Sequence, residues 1–155
     1  MTHKTEDQVH SILIVDDEAS IRQILSRFLA QSGHTLREAP DAETALAVMA
    51  ESPADVVLCD IEMPGQGGLW LAAQLRARFP HSAIILATAV DTIPPTTSFQ
   101  PGIVEYLVKP FDRSLVLGAV ASAIAWRKAE LAKPPARTDG AARLDAWMDA
   151  DLKKD

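Results

Sequence analysis

Short apolar runs and longer stretches of helical spacing alternate along this chain. Ile12-Leu13-Ile14-Val15 is a β-branched apolar run of the kind that forms a buried strand. Residues 19–31 follow, with Ile21, Ile24, Leu25, Phe28 and Leu29 at helical spacing, and Ser32-Gly33 supplies a glycine stop. Residues 34–39 read as a weaker, more polar strand near a sheet edge, and 41–50 as a second helix carrying Ala45, Leu46, Val48 and Met49. The runs 55–59 and 83–87 are two further buried strands, separated by a helix over 67–79 that stops before Pro80. A last strand spans 103–108, and a long final helix spans 112–132.

Strands alternating with helices of this length predict an α/β fold, a parallel sheet with helices on both faces. The unbroken apolar strands agree, because a strand covered on both faces need not alternate. Residues 1–10 read as a flexible lead, 11–132 as one domain, and 133–155 as a linker with a short amphipathic helix. In that tail Leu144, Trp147, Met148 and Leu152 lie at helical spacing, on a helix too short to be stable alone in water. Three outcomes stay open for it: docking on its own domain, docking on a second copy, or a loose end. The final helix carries two apolar stripes. One is Val116, Leu117, Val120, Ile124 and Leu131, expected to cover the sheet. The other is Leu115, Ala119, Ser122 and Trp126, packed on a neighbouring helix or offered to a partner.

Composition narrows the class. At 155 residues, 48% hydrophobic and 23% charged, the chain suits one globular domain. A net charge of -6 argues against a sequence-independent grip on nucleic-acid backbones. The single Cys59 excludes an internal disulfide and a multi-cysteine zinc site, and it reads as a small core residue. His3, His10, His34 and His81 show no ligand spacing. The first ten residues lack a signal-peptide core, and the run 115–126 is too short to span a bilayer, so a soluble cytoplasmic protein is expected.

In open parallel sheets, ligands gather at the carboxyl ends of the strands. Asp16 and Asp17 follow the first strand, Asp60 the third and Thr88 the fourth, and Lys109 ends the fifth, ahead of Pro110. Each has an ordinary reading alone: Asp16, Asp17 and Glu18 can complement a helix dipole, Asp60 can belong to a turn, Thr88 to a strand, and Lys109 to solvent. Together they place three carboxylates, a hydroxyl and a cation on one rim.

The segments Ile14-Val15-Asp16-Asp17-Glu18, Leu58-Cys59-Asp60-Ile61-Glu62-Met63-Pro64-Gly65, Ala87-Thr88-Ala89 and Glu105-Tyr106-Leu107-Val108-Lys109-Pro110-Phe111 resemble the receiver domain of two-component response regulators, over about residues 11–131. The resemblance implies a flavodoxin-like, doubly wound, five-stranded sheet of order 2-1-3-4-5. It implies Asp60 as phosphoacceptor from a histidine kinase or phosphotransfer protein. It also implies Mg²⁺ held by Asp17, Asp60 and the Glu62 backbone carbonyl, with Asp16 reaching it through water. Thr88 and Lys109 would receive phosphoryl oxygens, Tyr106 would be the aromatic switch residue, and the Lys109-Pro110 bond would be cis. The chain would catalyse only its own phosphotransfer and dephosphorylation and act through a downstream protein, with a homodimer through the last helix or the tail left open.

Two departures stand out. Between Thr88 and Tyr106, where the family has a helix, Pro94, Pro95 and Pro101 frame Thr96, Thr97 and Ser98; this predicts a short or absent helix. Gly67-Gly68 replaces a pair that often begins with aspartate, which predicts an uncapped third helix and a looser loop. Rival readings are a receiver-like docking module that is never phosphorylated and, more remotely, a haloacid-dehalogenase-type phosphohydrolase. The latter wants an aspartate two residues after its nucleophile, where this chain has Glu62. A flavin or nucleotide binder needs donors after the first strand, where Asp16-Asp17-Glu18 would repel phosphate. The tail is too short for a helix-turn-helix, so a stand-alone receiver or one cut from a longer protein is expected.

Overall fold

A computed structural model of the chain describes residues 8–89 and 102–134. Five strands, β1 (Ser11–Val15), β2 (Thr35–Ala39), β3 (Val56–Asp60), β4 (Ala83–Thr88) and β5 (Ile103–Val108), form one parallel sheet of order β2-β1-β3-β4-β5. Four α-helices lie among the described residues: α1 (Ala19–Leu29), α2 (Ala42–Glu51), α3 (Gly68–Arg78) and α4 (Arg113–Ala132). A 3₁₀ turn, Ala30–Ser32, continues α1 and ends at Gly33, whose φ of 83° is a conformation glycine adopts freely. The Pro-rich stretch predicted to hold a short helix or none, and the tail helix, fall outside the described residues.

The central strands are apolar throughout because both faces are covered. Leu13, Val15, Val57, Ile84 and Leu86 face α2 and α3 and pack with Met49, Leu71 and Leu75. Ile12, Ile14, Val56, Leu58 and Ile85 face α1 and α4 and pack with Leu25, Leu29, Val116 and Val120. Consecutive residues of a strand thus enter different layers, as the two-residue period of a strand requires. Each fully buried leucine here contributes enough that truncation to alanine costs about 2–5 kcal/mol. At the sheet edge β5 is only half-buried along most of its length. Among the described residues no helix is long and apolar enough to cross a membrane.

Helix starts follow side-chain chemistry. Asp41 accepts the Thr44 N–H at 2.7 Å to cap α2, and Asp112 accepts the Leu115 N–H at 2.9 Å to cap α4. Third-helix capping is as anticipated in one respect, since Gly67 offers no side-chain cap. The loop is not left loose by the second glycine, however. Gly68 N–H donates to Ile61 O at 2.9 Å, and any Cβ at Gly68 would overlap the Asp60 carbonyl. The glycine is there for close approach to the end of β3.

The stripes assigned to the last helix need correction. Val116, Ala119, Val120 and Ala123 are its buried residues, whereas Leu117 and Ile124 are half-buried and Leu131 is 50% exposed. Leu131 lies in the last turn, beyond the part of α4 that meets the sheet. In the second stripe Leu115 and Ser122 are exposed, while Trp126 packs against the core layer shared with α1. Ile24 on α1 also faces outward, at 39% exposure. His10, placed above in the lead, is buried: its backbone N–H donates to His34 Nδ1 at 3.1 Å.

Candidate functional site

Strand order reverses at β1, with β2 on one side and β3 on the other, so the loops leaving β1 and β3 diverge and open a crevice between them. The apolar runs end there in acids. Asp16 follows Val15, and Asp60 is the last residue of β3; both are almost fully buried. Asp17 is exposed beside them, and one carboxylate oxygen from each of Asp16, Asp17 and Asp60 lies within 4.8 Å of the others. Lys109, just beyond β5, reaches across the strand ends. Its Nζ is 3.2 Å from Asp16 Oδ2 and 3.4 Å from Asp60 Oδ1. The Lys109–Pro110 peptide bond is cis.

Backbone amides hold two of the carboxylates in place. Glu18 N–H donates to Asp16 Oδ1 at 2.9 Å, and Glu62 N–H donates to Asp60 Oδ1 at 3.4 Å. Arg22 braces the end of β1: its guanidinium donates to the Asp16 carbonyl and, at 3.1 Å, to Glu38 Oε1.

Among the described residues, charge does not balance at this rim: Asp16, Asp17 and Asp60 gather there with Lys109 as the ammonium. Burial and the neighbouring Asp16 charge push the Asp60 carboxyl up to about 6; the Lys109 ammonium and the Glu62 N–H pull in the other direction without restoring it. Burial alone would lower the Lys109 ammonium, but Asp16 and Asp60 outweigh it, and Lys109 stays charged above its ordinary value. The donors are hard oxygens on a site with surplus negative charge, which suits a small divalent cation that keeps several waters. Within about 2 Å of such an ion, neighbouring ligand oxygens lie about 3 Å apart, so small side-chain rotations close the cluster. Asp16, Asp17 and Asp60 therefore fit a metal.

Thr88, buried at the end of β4, is tied to this group through a side chain that sequence reasoning passed over. Its hydroxyl donates to Glu62 Oε1 at 3.3 Å, and Ala89 N–H donates to the same oxygen at 3.4 Å. Only the backbone carbonyl of Glu62 had been assigned a role. A glutamate two residues past a strand-end aspartate was the available signal, but its direction depends on the path of the loop. Tyr106 is half-buried on β5, in register with Leu86, and packs against the α2–α3 layer. Cys59 is buried, and burial holds its thiol protonated far above the usual range, in keeping with a core residue.

The response regulator receiver domain matches residues 12–121 of this chain. The transcriptional regulator NtrC of Salmonella typhimurium is 39% identical over 114 residues, covering 73% of this chain and 24% of that protein. The response regulator FleR of Pseudomonas aeruginosa is 35% identical over 111 residues, covering 71% of this chain and 24% of FleR. Among solved structures, the chemotaxis response regulator CheY4 of Vibrio cholerae superposes with a TM-score of 0.69 at 28% identity, over 75% of this chain and 99% of that one. The signal receiver domain of an HD-domain protein from Pseudomonas fluorescens gives 0.73 at 29% identity, over 79% and 99%. The fold and rim thus define a receiver, and the chain belongs to the response regulator receiver family of two-component systems. It spans about a quarter of the NtrC and FleR sequences it matches.

Proposed function

We propose that this receiver is a phosphorylation-activated switch in which Asp60 accepts a phosphoryl group from a phosphohistidine of a histidine kinase or phosphotransfer protein. Its target is a downstream protein, and it catalyses only its own phosphotransfer and the hydrolysis that resets it. The observation that carries this reading is the acidic rim: Lys109 stands within 3.4 Å of both Asp16 and Asp60, yet among the described residues three carboxylates gather around that one ammonium.

Asp60 Oδ attacks phosphorus in line; the O–P bond forms as the P–N bond breaks, and the imidazole keeps the electron pair and is protonated from solvent. Lys109 sits beside the attacking carboxylate and can follow the phosphoryl oxygens as charge develops on them. The Thr88 hydroxyl is the second donor. Asp16, Asp17 and Asp60, with the Glu62 backbone carbonyl, would hold Mg²⁺. That ion supplies positive charge that relieves carboxylate repulsion and neutralises the moving phosphoryl group.

The switch can be sized. Moving a two-state equilibrium from 1:99 to 99:1 needs about 5.5 kcal/mol. Two charge-assisted hydrogen bonds, from Thr88 and Lys109 to the phosphoryl group, give about 3–6 kcal/mol before desolvation. Tyr106 is the side chain that would follow Thr88 inward. Incubation with a small phosphodonor such as acetyl phosphate and Mg²⁺ tests the assignment. The wild type should gain one phosphoryl group by intact mass and Asp60→Asn none; equal modification of the two would refute it.

A further inference from the structure

Glu62 does something at this rim that neither metal binding nor phosphoryl acceptance requires. Glu62 is exposed two residues past Asp60, and its carboxylate accepts from the Thr88 hydroxyl at 3.3 Å and from Ala89 N–H at 3.4 Å. These two donors belong to consecutive residues at the end of β4 and converge on one oxygen, Oε1. A pair of donors converging on one anionic oxygen is the arrangement a phosphoryl oxygen would need. The protein already supplies an anion there from its own chain.

We propose that the Glu62 carboxylate is an internal anion that holds the Thr88 hydroxyl and the Ala89 amide until a phosphoryl group on Asp60 displaces it. The inference rests on the phosphoacceptor reading and deepens it: Glu62 is a positioning residue that sets how readily the site takes up a tetrahedral anion. Its action follows from occupancy. While Glu62 holds the donors, only the fraction of molecules with the carboxylate swung out is competent, and apparent affinity for an incoming anion falls by that fraction. The bonds are long and the side chain is exposed, so the bound state is favoured modestly. Glu62 thus acts as a light latch that opens under a phosphoryl group and closes again after hydrolysis, returning Thr88 to its resting partner. Glutamine in its place keeps length and shape and can still accept from Ala89 N–H, but gives up the charge.

Fluoroberyllate, a tetrahedral anion that attaches to carboxylates, is the probe. Its half-saturating concentration is measured by calorimetry at fixed saturating Mg²⁺ on the full chain. Glu62→Gln should lower that concentration about fivefold, and Glu62→Ala at least as much. Glu18→Gln is the control for general charge, since Glu18 is exposed on the same rim and its side chain does not hold Thr88. It should shift the value less than twofold. Equal binding by wild type and both Glu62 variants overturns the latch while leaving Asp60 as acceptor. An equal shift by Glu18→Gln also overturns the latch, because charge alone would then explain the gain. No binding by wild type or any variant overturns the phosphoacceptor reading itself.

Discussion

The two ends of this sheet handle aspartate in opposite ways. At the end where strands begin, Asp55 is saturated with partners. Its Oδ2 accepts Ser11 N–H at 3.0 Å and lies 3.4 Å from His10 Nδ1, while its Oδ1 lies 3.2 Å from Arg127 Nη2. His10 in turn leans on His34, ring centroids 5.4 Å apart. The cluster ties the start of β3 to the chain ahead of β1, to β2 and to α4. At the end where strands finish, Asp16 and Asp60 share Lys109, and Asp17 lies beside them with no cation of its own among the described residues. A carboxylate with every partner supplied fastens the fold; carboxylates short of positive charge among the described residues can take up a cation. The same residue type thus marks stability at one end and the candidate site at the other.

The sharpest way to break that contrast is to remove one acid from each end. Asp55→Ala leaves the His10 imidazole and Arg127 guanidinium without their carboxylate and should cost about 2–3 kcal/mol of stability. Asp60→Asn removes a repelling charge and should raise metal-free stability by about 1 kcal/mol. Urea unfolding without divalent ions measures both; a loss for Asp60→Asn as large as that for Asp55→Ala would erase the distinction.

The pH dependence should differ in sign between the ends. Asp60, lifted from 3.8 to about 6 in the fold, binds its proton more tightly folded than unfolded. Its contribution to metal-free stability is therefore full below about pH 4 and is lost as pH rises through 6, a change of about 1–2 kcal/mol once solvent screening is allowed for. Asp60→Asn should flatten the stability curve over that window. His34 behaves oppositely. Burial, then the neighbouring His10, lower it below 6.5, with Asp55 acting against them, so its contribution is present above 6.5 and lost as pH falls below it. A proton on His34 Nδ1 would also displace the His10 N–H. This is the smallest of the effects, and an NMR titration of the His34 ring should report a midpoint below 6.5; a midpoint above it would contradict the arrangement.

The acidic rim was legible because burial simplifies sequence. Ile12 to Val15 and Val56 to Cys59 are wholly apolar under their helices, so the first acid after each run marks a strand end. The rule that parallel sheets bind at those ends did the rest. What stayed hidden depends on register and loop path. His10 and His34 are neighbours only because Ser11 pairs with Thr35, which sets the residues just before them side by side. Arg127 meets Asp55 only because α4 runs back along the sheet to where the strands begin. Gly67 read as a lost cap, but the place of Gly68 against the Asp60 carbonyl is a matter of van der Waals space that the sequence does not show. The direction of the Glu62 side chain follows from the same turn. On α4 the apolar stripes were read too broadly, because helical spacing gives a face but not where along the helix the sheet stops covering it.

Mg²⁺ titration of the chain, followed by backbone amide NMR, tests the charge imbalance most directly. The account predicts saturable shifts confined to Asp16, Asp17, Asp60, Glu62 and their neighbours, a rise in unfolding midpoint with added Mg²⁺, and loss of both in Asp17→Asn and Asp60→Asn. Shifts scattered over exposed acids such as Glu43 and Glu51, or undiminished in those variants, would contradict it.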